Sequence, residues 1–423
     1  MLRDERSNTD GPSTPQPEKE YAQTGTRTKW YQGWDISDKE REAYRKRSRQ
    51  SQKARLLADA GTSAPSCHAV NTPALDIETL MPKQPPSNLK ALSLFSGGGG
   101  LDLGFDLAGY RHVASYELLD FAANTLRLNR PMWRVFGGED GDVTTVDWAA
   151  YHGTVDLVHG GPPCQPFSVA GRQRGKDDVR DMFPEFVRAV LNMRPKAFLA
   201  ENVPALAGRK FSGYVSDVII NPLSAKYSIQ TFTLDAASFG VPQIRRRLFF
   251  VGFRKDICPT FYTAPSPTHD WSHFGFEDKK ETGQLPLLQD SDGERLRCMG
   301  IREALGLPDI GFDGLAPTLR STLTGPRHTT SIVSSAHALR RWEELGIWPH
   351  GVSATRERAQ AFPTKNGNFR LSVPDCAVAQ GFPETWEFNG PVYKTLGQIG
   401  NAVAPPVAYR LALSIRQVLD YST

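Results

Sequence analysis

The sequence predicts an α/β protein: a doubly wound, mostly parallel sheet with a smaller, less regular unit after it. Three observations predict this. Short apolar runs alternate with helix-period segments between about residues 89 and 257. A glycine turn, Ser96-Gly97-Gly98-Gly99-Gly100, joins the first run to the first helix. The alternation stops after Arg254, where residues 258–393 are rich in Pro, Gly, Ser, Thr and His. Strands separated by helices pair in parallel, because the crossover returns the chain to the same end of the sheet.

Residues 1–88 come first and read as a largely disordered extension. Segments 11–17 and 61–86 are polar and proline-bearing, with too little apolar surface to order themselves. Between them, residues 38–60 have a helical pattern with Ser37 as cap and Glu40 three residues on. Its middle carries Arg45, Lys46, Arg47, Arg49, Lys53 and Arg55, which suits either a solvated tail helix or an arm that touches DNA.

The alternating region then runs in order. A strand over 91–95 leads through the glycine turn to a helix with Leu101, Phe105 and Leu107 on one face. A strand over 112–116 ends at Glu117 and is followed by a helix through Ala122, Ala123 and Leu126. A third strand is expected to end near Asp142-Val143, and a fourth, over 155–158, runs into Gly160-Gly161. A helix over 183–191, a strand over 197–200 and strands near 229–234 and 248–253 complete the set. After the irregular unit, residues 398–419 read as a turn and an apolar-periodic helix that returns to the first unit.

Composition limits the function classes. The 423 residues carry a net charge of +4, which permits a nucleic-acid partner without demanding one. No apolar run approaches the roughly 18 residues of a membrane span, and the charged start has no secretory pattern, so a cytoplasmic protein is expected. The five cysteines, Cys67, Cys164, Cys258, Cys298 and Cys376, are odd in number and never spaced as Cys-x-x-Cys. That spacing argues against a disulfide framework or a structural zinc, and no metal site is expected.

Two constellations carry chemistry. Glycines in a strand-to-helix turn let backbone approach a ligand, and the helix start offers free N–H groups. The turn alone is common to many nucleotide-binding folds, or is simply a tight turn. Glu117, twenty residues on at the end of the next strand, sharpens it, because an acid there accepts hydrogen bonds from ribose hydroxyls. The second constellation is Gly160-Gly161-Pro162-Pro163-Cys164-Gln165-Pro166-Phe167-Ser168, at the carboxyl end of the fourth strand, where open α/β sheets bind ligands. Prolines stiffen this loop and aim Cys164, which points to covalent catalysis.

From about residue 89 to its end the chain resembles the DNA cytosine-5 methyltransferases. The resemblance rests on five ordered motifs: Leu94-Phe95-Ser96-Gly97-Gly98-Gly99-Gly100, Pro163-Cys164-Gln165, Glu201-Asn202-Val203, Gln243-Ile244-Arg245-Arg246-Arg247, and Gln398-Ile399-Gly400-Asn401-Ala402-Val403. It implies a sheet of the S-adenosylmethionine-dependent methyltransferase type, double-stranded DNA as substrate and the unit over 258–393 as the target-recognition domain. A single-chain bacterial enzyme paired in function with a restriction endonuclease follows by analogy.

By the same resemblance Phe95, Gly97, Gly98 and Gly100 line the donor site and Glu117 holds the ribose. Asp142 and Val143 flank the adenine, Pro163 lies beside them, and Asn401 and Val403 close the pocket. Leu118 stands where the family often has an aromatic, and Ser372 and Asp375 replace its usual Thr and Glu.

The chemistry explains the catalytic set. A thiolate of Cys164 adding to carbon 6 of cytosine makes carbon 5 nucleophilic. Glu201 is assigned to N3 of the ring, Arg247 to its exocyclic oxygen, and Arg245 to the catalytic loop and DNA phosphates. Carbon 6 is shielded in a duplex, so the base must be flipped out. Gln165, Ser168, Arg172, Arg174 and Gln243 are expected to contact DNA. Residues 171–176 are expected to form a mobile loop that closes on it, and Arg320, Arg327 and His328 in the Thr-rich stretch 318–330 are expected to read bases. An RNA cytosine methyltransferase and an inactive DNA-binding relative are the competing readings. A flavin or nicotinamide oxidoreductase would explain the glycine turn and nothing else.

Overall fold

The computed structural model describes residues 68–163, 181–257, 262–275, 295–320, 330–361, 364 and 367–421, together with Glu42 and Lys46. Its centre is a seven-stranded sheet of order β3-β2-β1-β4-β5-β7-β6. The strands are β1 (Lys90–Leu94), β2 (Arg111–Glu117), β3 (Val135–Gly137), β4 (Leu157–Gly160), β5 (Ala197–Asn202), β6 (Tyr227–Asp235) and β7 (Arg246–Arg254). β7 alone runs against its neighbours, pairing antiparallel with β5 and β6. Strand order reverses between β1 and β4, which opens a crevice at their carboxyl ends.

Sequence alternation sets the two faces. On β5, Ala197 and Leu199 belong to one apolar cluster while Phe198 and Ala200 belong to the other. All six residues of β5 are buried, as expected of a strand covered on both sides. Helix α1 (Gly100–Leu107) follows β1, α2 (Asp120–Asn129) follows β2, α3 (Phe183–Met193) precedes β5, and α4 (Val373–Gln380) comes after β7. α3 buries Phe183, Phe186, Val187, Val190 and Met193, a single helical stripe.

Three expectations are corrected. The third strand ends at Gly137, because Gly138 turns the chain at φ +63° and a 3-10 turn follows over Gly138–Gly141. Asp142 and Val143 therefore lie beyond it. Gly400, in the turn expected to open residues 398–419, is instead buried inside helix α5 (Val392–Asn401), and the turn falls at 402–404. Pro405 and Pro406 then start α6 (Pro405–Tyr421), where absent N–H groups do no harm.

The third correction concerns the extension. Residues 68–88 are ordered despite their composition, because neighbours supply the burial they lack. Ile77 and Met81 are almost fully buried in the larger cluster. Asn71 Nδ2 donates to the Leu305 carbonyl and to Asp375, and Tyr409 Oη donates to the Pro82 carbonyl. Of the basic helix expected over 38–60, only Glu42 and Lys46 are among the described residues, both helical and exposed.

The larger cluster also takes Ile301, Leu305, Trp342, Phe369, Phe382 and Trp386, so the expected boundary at 393 falls within a shared core. Trp386 Nε1 donates to the Gly98 carbonyl, which ties this segment to the glycine turn.

Candidate active site

The crevice at the β1–β4 junction gathers the motifs. At the end of β1, Phe95 and Gly97 both have φ +55°, and Gly99 has φ +84°. A Cβ at Gly97 would meet nothing nearer than the Phe95 carbonyl oxygen, 4.0 Å away, so this is where the turn stays open for a ligand. Gly100 serves packing instead: its Cβ would lie 2.1 Å from the Val403 carbonyl oxygen. Val403 thus returns from the far end of the chain onto the turn, whereas the neighbouring Asn401 is exposed.

Glu117, at the end of β2, accepts from the Gly97 N–H at 2.6 Å and from the Leu119 N–H at 2.8 Å. Burial raises its carboxyl above the usual range, and the two N–H groups oppose that shift. Leu118 beside it is half-buried. Asp142 spends Oδ1 on the Thr144 N–H and hydroxyl, which fixes the turn after β3. Val143 is buried in the smaller cluster and its carbonyl accepts from Arg188.

Beyond β4, Pro163 is half-buried, and the Pro162 carbonyl accepts from Asn202 Nδ2 at 3.1 Å. Asn202 thereby anchors the start of the cysteine loop. Cys164, Gln165, Ser168, Arg172, Arg174 and Arg327 lie outside the described residues, as does His328.

Glu201, on β5 next to β4, is 8% exposed and receives Arg247 Nε at 2.9 Å. A Cβ at Gly161 would lie 2.9 Å from Glu201 Oε2, so the carboxylate sits against the loop that carries Cys164. Burial raises this carboxyl, while Arg247 and then Arg245 pull it down. Arg247 pairs with the carboxylate directly, and the charge of Arg245 adds to its pull.

Two assigned roles are corrected. Arg245 is 1% exposed, and its Nη2 donates to the Gly400 and Ala402 carbonyls at 2.8 and 2.7 Å. It braces the α5–α6 turn and does not face DNA phosphates. Gln243 is fully buried: Nε2 donates to the Ala379 carbonyl and to Gln380, while Oε1 accepts from the Leu319 N–H. Its amide is enclosed by protein and is a cross-brace, not a DNA contact. Arg320 is exposed, at the edge of the described segment.

Sequence reasoning missed Asn202, Gln380 and Trp386. Gln380 Nε2 donates to the Ala402 carbonyl, sharing it with Arg245. Asn202 stood beside Glu201 in its motif and could have been found there. The other two act through contacts distant in sequence. Among the described residues no group of His, Cys, Asp or Glu is placed to hold a metal ion.

Residues 89–417 match the family described as C-5 cytosine-specific DNA methylase. Among curated proteins the chain is 34% identical to the Type II methyltransferase M.NgoMIV of Neisseria gonorrhoeae, over 78% of this chain and 97% of that one. It is 33% identical to M.PspPI of Psychrobacter sp. (80% and 82% covered) and 32% identical to M.NaeI of Lentzea aerocolonigenes (79% and 76% covered). With its switch-point crevice, its glycine turn and its Glu201–Arg247 pair, the chain belongs to the C-5 cytosine-specific DNA methylase family.

Proposed function

We propose that the chain moves a methyl group from S-adenosylmethionine to carbon 5 of cytosine in a specific double-stranded DNA sequence, with Cys164 as nucleophile. Its family makes it a DNA cytosine-5 methyltransferase. The observation that carries it is the buried Glu201–Arg247 pair beside Gly161 at the root of the cysteine loop.

The residues at the glycine turn fit the donor, since Gly97 is open and the Glu117 carboxylate is buried beside it. Phe95, Gly97, Gly98 and Glu117 would hold it, with Leu118, Asp142, Val143 and Pro163 around the base and ribose and Val403 beneath the turn. When bound, it supplies an electrophilic methyl.

The Cys164 thiolate adds to carbon 6 of the flipped cytosine, forming a C–S bond and pushing electrons towards N3. Glu201, its carboxyl raised by burial, donates a proton or hydrogen bond there, and Arg247 holds Glu201 and the exocyclic oxygen. Carbon 5 would then take the methyl, the donor's methyl–sulfur bond breaking to leave a neutral thioether. A base then removes the carbon 5 proton, and the C–S bond breaks to return the thiolate. Arg172 and Arg174 would neutralise phosphates, and Arg320 and Arg327 would read the duplex with the 258–393 unit. The relatives' Type II names support pairing with a restriction endonuclease. Among the described residues no helix is long and apolar enough to cross a membrane.

The test is mass spectrometry of the protein with S-adenosylmethionine and duplexes containing 5-fluorocytosine, in which fluorine blocks the final elimination. The expected result is an adduct mapped to Cys164. An adduct on structured RNA with none on varied duplexes would overturn the DNA reading.

A further inference from the structure

Asp102 stands in the first turn of α1, directly after the glycine turn, and is 3% exposed. Its Oδ1 accepts from Ser115 Oγ at 2.8 Å, while its Oδ2 is buried and has no hydrogen-bond partner. No salt bridge reaches it among the described residues. Ser93 and Ser96 hydrogen-bond to each other at 2.7 Å, and both hydroxyls lie near enough to favour the charged carboxylate. The charged group that feels it is Glu117, two residues beyond Ser115 on the same face of β2.

Such an arrangement is expensive to keep. A buried carboxylate with an unfilled oxygen and no cation destabilises a fold, and an asparagine of the same shape would retain the Ser115 bond. A group held against its own stability is a candidate for function. Ser96 opens the turn and Glu117 holds Gly97, so the polar cluster adjoins the glycine turn at both residues.

We propose that Asp102 is a positioning residue for the methyl donor, its negative charge beneath the glycine turn favouring the cationic sulfonium over the neutral thioether product. This rests on the reading of the turn as the donor site. The charge acts in a medium of low dielectric, where it is screened far less than at a surface.

The test is titration calorimetry of the full chain with S-adenosylmethionine and with S-adenosylhomocysteine, alongside thermal melts. Asp102→Asn is expected to raise the melting temperature yet weaken S-adenosylmethionine binding by about fivefold, with a smaller change for the product. Ser115→Ala keeps the charge and removes its support; it is expected to lower the melting temperature and leave the ratio of the two affinities unchanged. The proposal is overturned if Asp102→Asn lowers stability, or shifts both ligands equally, or shifts neither. Glu117→Ala separates the two readings: if it leaves both affinities intact, the donor site itself is misplaced, whatever Asp102→Asn does.

Discussion

Two residues apart, Arg245 and Arg247 end in different surroundings, and their substitutions should separate. Arg245→Ala would leave the Gly400 carbonyl short of its donor and should destabilise the fold by about 1–3 kcal/mol, read by denaturant unfolding. Arg247→Ala removes the cation bound to Glu201 and should slow methyl transfer on the order of 100-fold with a smaller loss of stability. Asp102 and His159 have opposite pH signatures. Burial raises Asp102 from 3.8 to about 6, so the folded state binds its proton more tightly. That penalty sets in as pH rises past 3.8 and is complete above about 6, on the order of 3 kcal/mol. His159, stacked on Phe105 at 4.4 Å, is pushed down from 6.5 to about 3 by burial. Its contribution is present above pH 6.5 and lost as pH falls towards 3. Unfolding between pH 4 and 8 should therefore show Asp102→Asn gaining most at the alkaline end.

Within the glycine turn, neighbouring positions answer to different constraints. Gly97→Ala adds strain at φ +55° but no clash, and should act mainly on donor binding. Gly100→Ala drives a methyl into the Val403 carbonyl, 2.1 Å away, and should lower the melting temperature sharply as well. Paired melts and donor titrations would distinguish the two. The turn was legible in the sequence because its glycines, the apolar run before them and the acid at the next strand end are local signals. So were the strand exits at Gly160 and Glu201. The duties of Gln243 and Arg245 were not, because burial between segments more than 130 residues apart decides whether a polar side chain meets DNA or a carbonyl. The helix over α5 was misjudged for a related reason. Its glycines break the local pattern, and only packing from outside keeps the helix intact.

At the scale of the molecule, residues 68–88 act as a strap across the base of the sheet-bearing core. Deleting them would strip Ile77 and Met81 from the larger cluster, each worth about 1.5–3 kcal/mol when buried. The truncated chain is expected to melt lower and to be cut faster by protease than the full protein. The strap escaped the sequence reading because its prolines and polar residues suggest an unstructured tail, while its few apolar side chains join a cluster drawn from segments far along the chain. The contact between Gly100 and Val403 has a further consequence, one of timing. A ribosome emits the first strand early and the closing helix last, and at about 5–20 residues per second the interval between them is tens of seconds. Throughout that interval the half-made protein lacks the wall against which its glycine turn is moulded. Methylating capacity should therefore arrive abruptly, once Val403 has emerged and packed, and a product terminated before it should be inert.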